Sequence, residues 1–439
     1  MQETVPNKFP ITYFLDPAVY RHCHLEIPKP DVSLPSGILN IVKDPETTRD
    51  IANQYFHSFH LWLPIIYRSK FYGSVLQQSL QKDVDLALLV ACMKIVLPRQ
   101  NGSGRPVSRL YPLIKHYFVQ LEQVGLLTIT TLQAMIILAT YEMGHGIYPA
   151  AYLTIGSCAR YAVALGLDRA IFEWDDSHEW TLMEEKHRVW WAVVILERSM
   201  NVNFPSRALC TLDPVEKQYL PLLDEDWNDD VPPKGTPYTV SSLNDEKMGK
   251  FARLAQATHL LSRVLRHVSD TETHHEFLYH ERDTLDRALR SLLSLTVAEE
   301  KAYGLAYCSP VAVLSSALLI LHSYYQLNQD GTVCIDAEES YPAVMELTAQ
   351  VILPIAHRLR NNSSSSSPCN PSPLVLNWMY RSIVLFQGLL EQGDHVSLYA
   401  DCIKVTREAI EDLSLLWPIG KYFLDLLETR ALTNMRMEF

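Results

Sequence analysis

Apolar residues along this chain return at intervals of three and four rather than two, which predicts helices through most of its length. In the first half the pattern marks helices over about 84–96, 109–124, 130–142 and 150–165. Pro98, Gly102, Gly104, Gly125 and Pro149 separate them, residues that interrupt a helix by a missing N–H or a loose backbone. In the second half the same spacing covers about 246–267, 274–296, 309–327, 339–360, 374–390, 396–415 and 418–432. Two stretches depart from it. Residues 205–245 are acidic and Pro-bearing, and 361–373 are almost all Ser, Asn and Pro, so both are expected to be loops. With no alternating strand set and no solenoid repeat, the expected fold class is all-α, a large multi-helix bundle. Residues 1–45 are rich in Pro and aromatics without a period and are expected to lie extended against the body. Asp44-Pro45-Glu46 then offers a cap, a first-turn proline and a first-turn acid, so one helical unit is drawn from 46 to 439.

The most informative stretch runs from Ala151 to Pro221. Ile155, Cys158, Ala159, Ala162 and Leu165 make one apolar helix face, and Gly166 supplies a left-handed stop with Leu167 behind it. Thr181 and Glu184 have the spacing of a capping box at the start of the next helix. From Val189 to Leu196 that helix is apolar on every side, so other helices must surround it. Arg188, Glu197 and Arg198 flank this run. Buried charges there need partners, because an unpaired one costs several kcal/mol.

These two segments resemble the middle homology region of the fungal zinc binuclear-cluster transcription factors. The match is carried by Leu165-Gly166-Leu167-Asp168-Arg169, by Glu184-Glu185-Lys186-His187-Arg188-Val189-Trp190-Trp191, and by Glu197-Arg198 where the family has Asp-Arg. Asp213 and Leu220-Pro221 close the segment, while Phe204-Pro205-Ser206-Arg207 departs from the family's Gly-Arg-Pro turn. A second point of contact is the aromatic-His helix and Pro-apolar step at Phe59, His60, Pro64, Ile65 and Phe71. The resemblance implies a helical regulatory domain in a nuclear transcriptional regulator of a metabolic gene set, secondary metabolism being one such setting. It also implies a DNA-binding transcription factor or the transcription machinery as partner, a small-molecule effector, and homo- or heterodimer formation. Arg160, Arg169, Arg188, Glu197 and Arg198 could bind an anionic effector inside the bundle, but the favoured expectation is that they, with Trp190 and Trp191, hold the domain together as a buried ion and aromatic network, without catalysis.

Charge and cysteine usage sharpen this reading. A net charge of −12 and a pI near 5.7 oppose a large phosphate-gripping surface, so direct specific DNA contact is not expected from these residues. The family's six closely spaced zinc-binding cysteines have no counterpart; only Cys23 lies in the first 90 residues. The eight cysteines stand tens of residues apart with no Cys-x-x-Cys pair, as reduced intracellular thiols do. The longest apolar run, 310–321, is too short to span a bilayer.

Other chemistry is weaker. His22-Cys23-His24 are adjacent and cannot converge on one metal, so a solvent-facing turn is expected. Around His274, His275 and Glu276 the chain misses the His-Glu-x-x-His pattern, because Tyr279 stands where the second His would be. Gly102-Ser103-Gly104-Arg105-Pro106 lacks the Lys-Ser/Thr ending of a phosphate loop. The competing class is an all-α magnesium-dependent enzyme of terpene-cyclase type, using Asp224-Glu225-Asp226 and Asp229-Asp230. The expectation for that cluster is a solvated acidic loop. A non-catalytic protein–protein scaffold is the third reading. No cofactor or metal is expected.

Overall fold

The computed structural model describes residues 9–27, 32–77, 83–98, 109–174, 180–233, 237–242, 248–270, 275–303, 308–326, 335–362, 371–392 and 396–433. The Gly102–Pro106 loop, His274 and most of the Ser-rich 361–373 stretch lie outside them.

The N-terminal residues depart from expectation. Instead of an extended segment they form α1 (Thr12–Leu15), α2 (Pro17–His22) and α3 (Ser36–Val42). The reason is local. Asp16 accepts the Val19 N–H at 3.1 Å with Pro17 at the first helical position, and α3 buries Ile38, Ile41 and Val42. The same Asp-Pro signature starts α4 (Pro45–Phe56), where Asp44 accepts from Thr47 N at 3.0 Å and Glu46 N at 3.3 Å. After α4, Tyr55, Phe56, Phe59, His60 and Trp62 pack as a buried aromatic corner, with ring centroids 4.9–5.5 Å apart in its contacting pairs Phe56–His60, Phe59–Trp62 and Tyr55–Phe59.

Six helices follow: α5 (Arg68–Gln77), α6 (Val84–Val96), α7 (Leu110–Gln123), α8 (Ile129–Gly144), α9 (Ala150–Ala164) and the one-turn α10 (Leu167–Ala170). Thr128 caps α8 by accepting from Thr131 N at 3.1 Å. Gly166, at φ 75°, takes the left-handed conformation that ends α9 and lets α10 start at once. The central helix is α11 (Trp180–Met200), and the short α12 (Asp224–Asn228) lies in the acidic stretch. The second half consists of α13 (Lys250–Ser269), α14 (His275–Tyr303), α15 (Cys308–Gln326), α16 (Ile335–Asn362), α17 (Leu374–Gln392), α18 (Val396–Leu413) and α19 (Ile419–Thr433). Among the described residues no strand forms; one isolated antiparallel bridge pairs Tyr219 with Thr239.

Packing follows the apolar faces. In the first half α6 lies on α8, α8 on α9, and α9 on α11; in the second, α15 is gripped by α13, α14, α16 and α17. Helix α11 touches α8, α9, α10 and α13, and so joins the halves. One continuous core runs from Ile38 to Leu427. Val189 to Leu196 are all buried, as a helix apolar on every side must be. No described helix is long and apolar enough to cross a membrane.

Candidate functional site

Two arginines at opposite ends of the apolar run of α11 enter the core, each held by its own set of partners. Arg188 is fully buried. Its Nε donates to Glu184 Oε1 at 2.5 Å, one helical turn earlier, and its Nη1 donates to Asp224 Oδ1 at 2.7 Å. Nη2 donates to the Leu222 carbonyl at 2.9 Å and Nη1 also reaches the Pro64 carbonyl at 3.3 Å. The guanidinium lies 4.2 Å from the centroid of the buried Trp227 ring, a cation–π contact sealed from water.

The two carboxylates do further work. Glu184 Oε1 accepts the Leu222 N–H at 2.9 Å, and Asp224 Oδ2 accepts the Phe251 N–H at 3.3 Å. Asp224 thereby places a negative charge at the N-terminus of α13, where the helix dipole favours one. The approach requires Gly249, because a Cβ there would lie 2.9 Å from Asp224 Oδ2. A single arginine faces two buried acids, and burial pushes the Glu184 carboxyl up to about 7, with Arg188 pulling the other way. Its Oε2 is buried without a hydrogen-bond partner among the described residues. Burial, and next the Arg188 charge, pushes His60 down to about 3, so this imidazole is neutral.

Arg198 is also fully buried, and all five of its N–H donors find acceptors. Nε donates to Ser262 Oγ on α13 at 3.0 Å; Nη1 donates to Glu197 Oε2 at 2.7 Å and Thr211 Oγ1 at 2.8 Å. Nη2 reaches the Leu212 carbonyl at 2.9 Å and Asp213 Oδ1 at 3.3 Å. Glu197 accepts in turn from the N–H groups of Cys210 and Thr211. Between the two clasps, Trp191 Nε1 donates to the Tyr219 carbonyl at 2.8 Å, and Trp190 is buried among apolar neighbours. The chain from 210 to 224 is thus laid along α11 by three anchors.

The arrangement binds helices to one another through buried, paired charges. With that geometry in hand, two comparisons bear on identity. The family model described as "Fungal specific transcription factor domain" matches residues 52–300, which include both clasps. The chain is also similar to "Transcription factor BOA15" of Botryotinia fuckeliana (strain B05.10), 37% identical over 155 residues, which is 35% of this chain and 85% of that protein. This chain belongs to the fungal-specific transcription factor family. It is a transcriptional regulator with an all-α regulatory fold. No solved structure matches it.

Within this fungal transcription factor domain, the residues singled out from sequence divide into two groups. Arg188, Trp190, Trp191, Glu197 and Arg198 lie buried on α11, but Arg188 and Arg198 head separate ion clusters rather than one network. Arg160 and Arg169 are exposed and enter neither cluster. Thr181 does not cap α11, which already includes Trp180; Glu184 turns inward to Arg188 instead of back toward a cap. The acidic stretch is no solvated loop at Asp224, which is 2% exposed, and Asp230 accepts from Ser69 Oγ at 2.6 Å and from the Tyr67 hydroxyl. His22, Cys23 and His24 do form an exposed turn at the end of α2.

Sequence reasoning missed Asp224, Leu222, Trp227, Thr211 and Ser262 as partners. The one available signal was the i, i+4 spacing of Glu184 and Arg188. A further cluster was also missed: Glu185 accepts from Lys70 at 2.7 Å and Gln133 at 2.9 Å, fastening α11 to α5 and α8.

Proposed function

We propose that this chain works in the nucleus as the regulatory part of a transcription factor system, controlling a metabolic and specifically a secondary-metabolite gene set through a DNA-binding partner. Residues 46–439 act in this reading as one unit, with Arg188, Trp190, Trp191, Glu197 and Arg198 as its internal framework. The observation that carries it is the double clasp on α11: the residues that give the family its sequence signature are spent on fixing helices to one another. The net charge of −12 supports a separate polypeptide or module for promoter contact, since phosphate neutralisation needs clustered cations.

A non-catalytic role is supported by how the acidic stretch is used. Asp224 is committed to Arg188 and to the start of α13, and Asp230 to Tyr67 and Ser69. Those are two of the five acidic residues that a magnesium-dependent enzyme would present to a diphosphate.

The deciding experiment fuses the chain to a foreign DNA-binding module beside a reporter gene. A change in reporter output that is lost in an Arg188→Ala variant is expected. A silent reporter together with turnover of an allylic diphosphate would overturn the reading.

A further inference from the structure

A large cavity of about 1170 Å³ opens between α7, α8 and α9 and the turn that follows α11. Its walls are mostly apolar, with Phe118, Leu126, Met135, Leu138 and Ile155 among them. The N-terminal helix α1 closes one end. Phe9 and Phe14 line the cavity there, and the Tyr13 hydroxyl donates to the Ala164 carbonyl at the end of α9 at 2.6 Å. The volume is at or above that of sites that bury a whole drug-sized molecule.

The polar groups on the wall are few, and most are already engaged. Lys115 is paired with Glu142 at 2.8 Å and touches Thr154. Glu197 is saturated by Arg198, Cys210 and Thr211. Glu122 stands exposed at the rim near Gly125. Two groups remain. Arg160 lines the cavity and, among the described residues, has no carboxylate partner; the nearby Cys210 thiol feels its charge. Asn201 is 2% exposed, and its Nδ2 donates to the Glu197 carbonyl at 2.8 Å, while its Oδ1 is buried with no partner among the described residues. A buried acceptor left unmet is unfavourable, and a ligand donor would relieve it.

We infer that this cavity is a binding site for a largely apolar small molecule carrying one anionic group, a carboxylate or similar, and one hydrogen-bond donor. The anion pairs with Arg160, the donor meets Asn201 Oδ1, and the apolar body fills the space between α7, α8 and α9. Calling its occupant an effector rests on the regulatory reading above; binding itself is a property of the cavity.

The test uses the full chain and two fluorescent probes of similar apolar bulk, 1-anilinonaphthalene-8-sulfonate, which is anionic, and N-phenyl-1-naphthylamine, which is neutral. Both are expected to bind saturably. Arg160→Ala should weaken the anionic probe about tenfold and leave the neutral one within about twofold, because only a charge-assisted bond is removed. Arg160→Lys should restore most of the loss. Gly156→Leu should weaken both probes, since a Cβ at 156 meets only Cys210 Sγ at 3.7 Å and a longer side chain enters the cavity. That substitution also favours the helix, so folding is preserved, and an unchanged urea midpoint verifies it. Equal effects of Arg160→Ala on the two probes, or indifference of both to Gly156→Leu, would overturn the inference. A silent reporter with intact probe selectivity would sink the regulatory reading and leave the cavity assignment standing.

Discussion

Arg188 and Arg198 share one helix and are equally dry, yet their surroundings neutralise them differently. Arg188 faces two buried carboxylates and an indole face, a set that carries one excess negative charge when every group is ionised. Arg198 faces Glu197 and Asp213, and Asp213 also pairs with the exposed Arg266 at 3.2 Å, so that set is balanced and reaches water. The comparison teaches that sealing an ion cluster raises its stakes. The enclosed one must adjust its protonation, whereas the vented one lets solvent and a surface arginine adjust for it.

The largest expected effect comes from breaking the enclosed clasp. Arg188→Ala leaves Glu184 and Asp224 buried without their cation and is expected to lower stability by about 3–5 kcal/mol, read from urea unfolding. The triple change Arg188→Met, Glu184→Gln, Asp224→Asn should recover most of it, because the penalty belongs to the uncompensated charges. Arg198→Ala should cost less, roughly 2–3 kcal/mol, since Asp213 keeps Arg266 and water. An equal or larger loss at 198 would break the contrast. Ten residues of helix separate the two sites by ~15 Å, so the double variant should be additive within about 0.5 kcal/mol.

Protonation sharpens the same contrast. The folded Glu184 carboxyl titrates near 7 against an ordinary 4.5, so its stabilising contribution is complete below 4.5 and is lost as pH rises through 7. Glu184→Gln should therefore gain on the parent between pH 5 and 7.5 by on the order of 2 kcal/mol in denaturation midpoints converted to free energy. His60 and His187 act in the opposite sense. Burial pushes their imidazoles down to about 3 and about 4, so their contributions are whole above 6.5 and fade as pH falls toward those values. The smallest effect is expected outside both clasps: Arg169→Ala should change stability by no more than about 0.5 kcal/mol.

Much of this architecture was legible in the apolar period. The limits of α6, α7, α9 and α17 fall within two residues of the predicted ones, because each buries a face whose spacing is periodic. The Leu-Gly-Leu stop was legible too, since only glycine takes φ 75° without strain. Clasp partners were not, because Asp224 lies 36 residues from Arg188 and Ser262 64 residues from Arg198, separations that leave no local trace. An acidic run such as Asp224-Glu225-Asp226 reads as solvated by composition, and only the fold shows that one of the three turns inward. The short N-terminal helices were lost for the reverse reason: a cap at Asp16 is a local signal, but four- and six-residue helices are too brief to show a period.

Asp224 stands in a stretch whose prolines and acids invite a scissor cut when the protein is divided for expression. A fragment ending anywhere between 201 and 221 would strip Arg188 of the Asp224 counter-ion and of the Leu222 carbonyl at a stroke, and a fragment beginning after 224 would leave the start of α13 without its carboxylate. The segment that most resembles a tether is therefore a keystone, and workable boundaries for trimmed versions lie elsewhere in the chain.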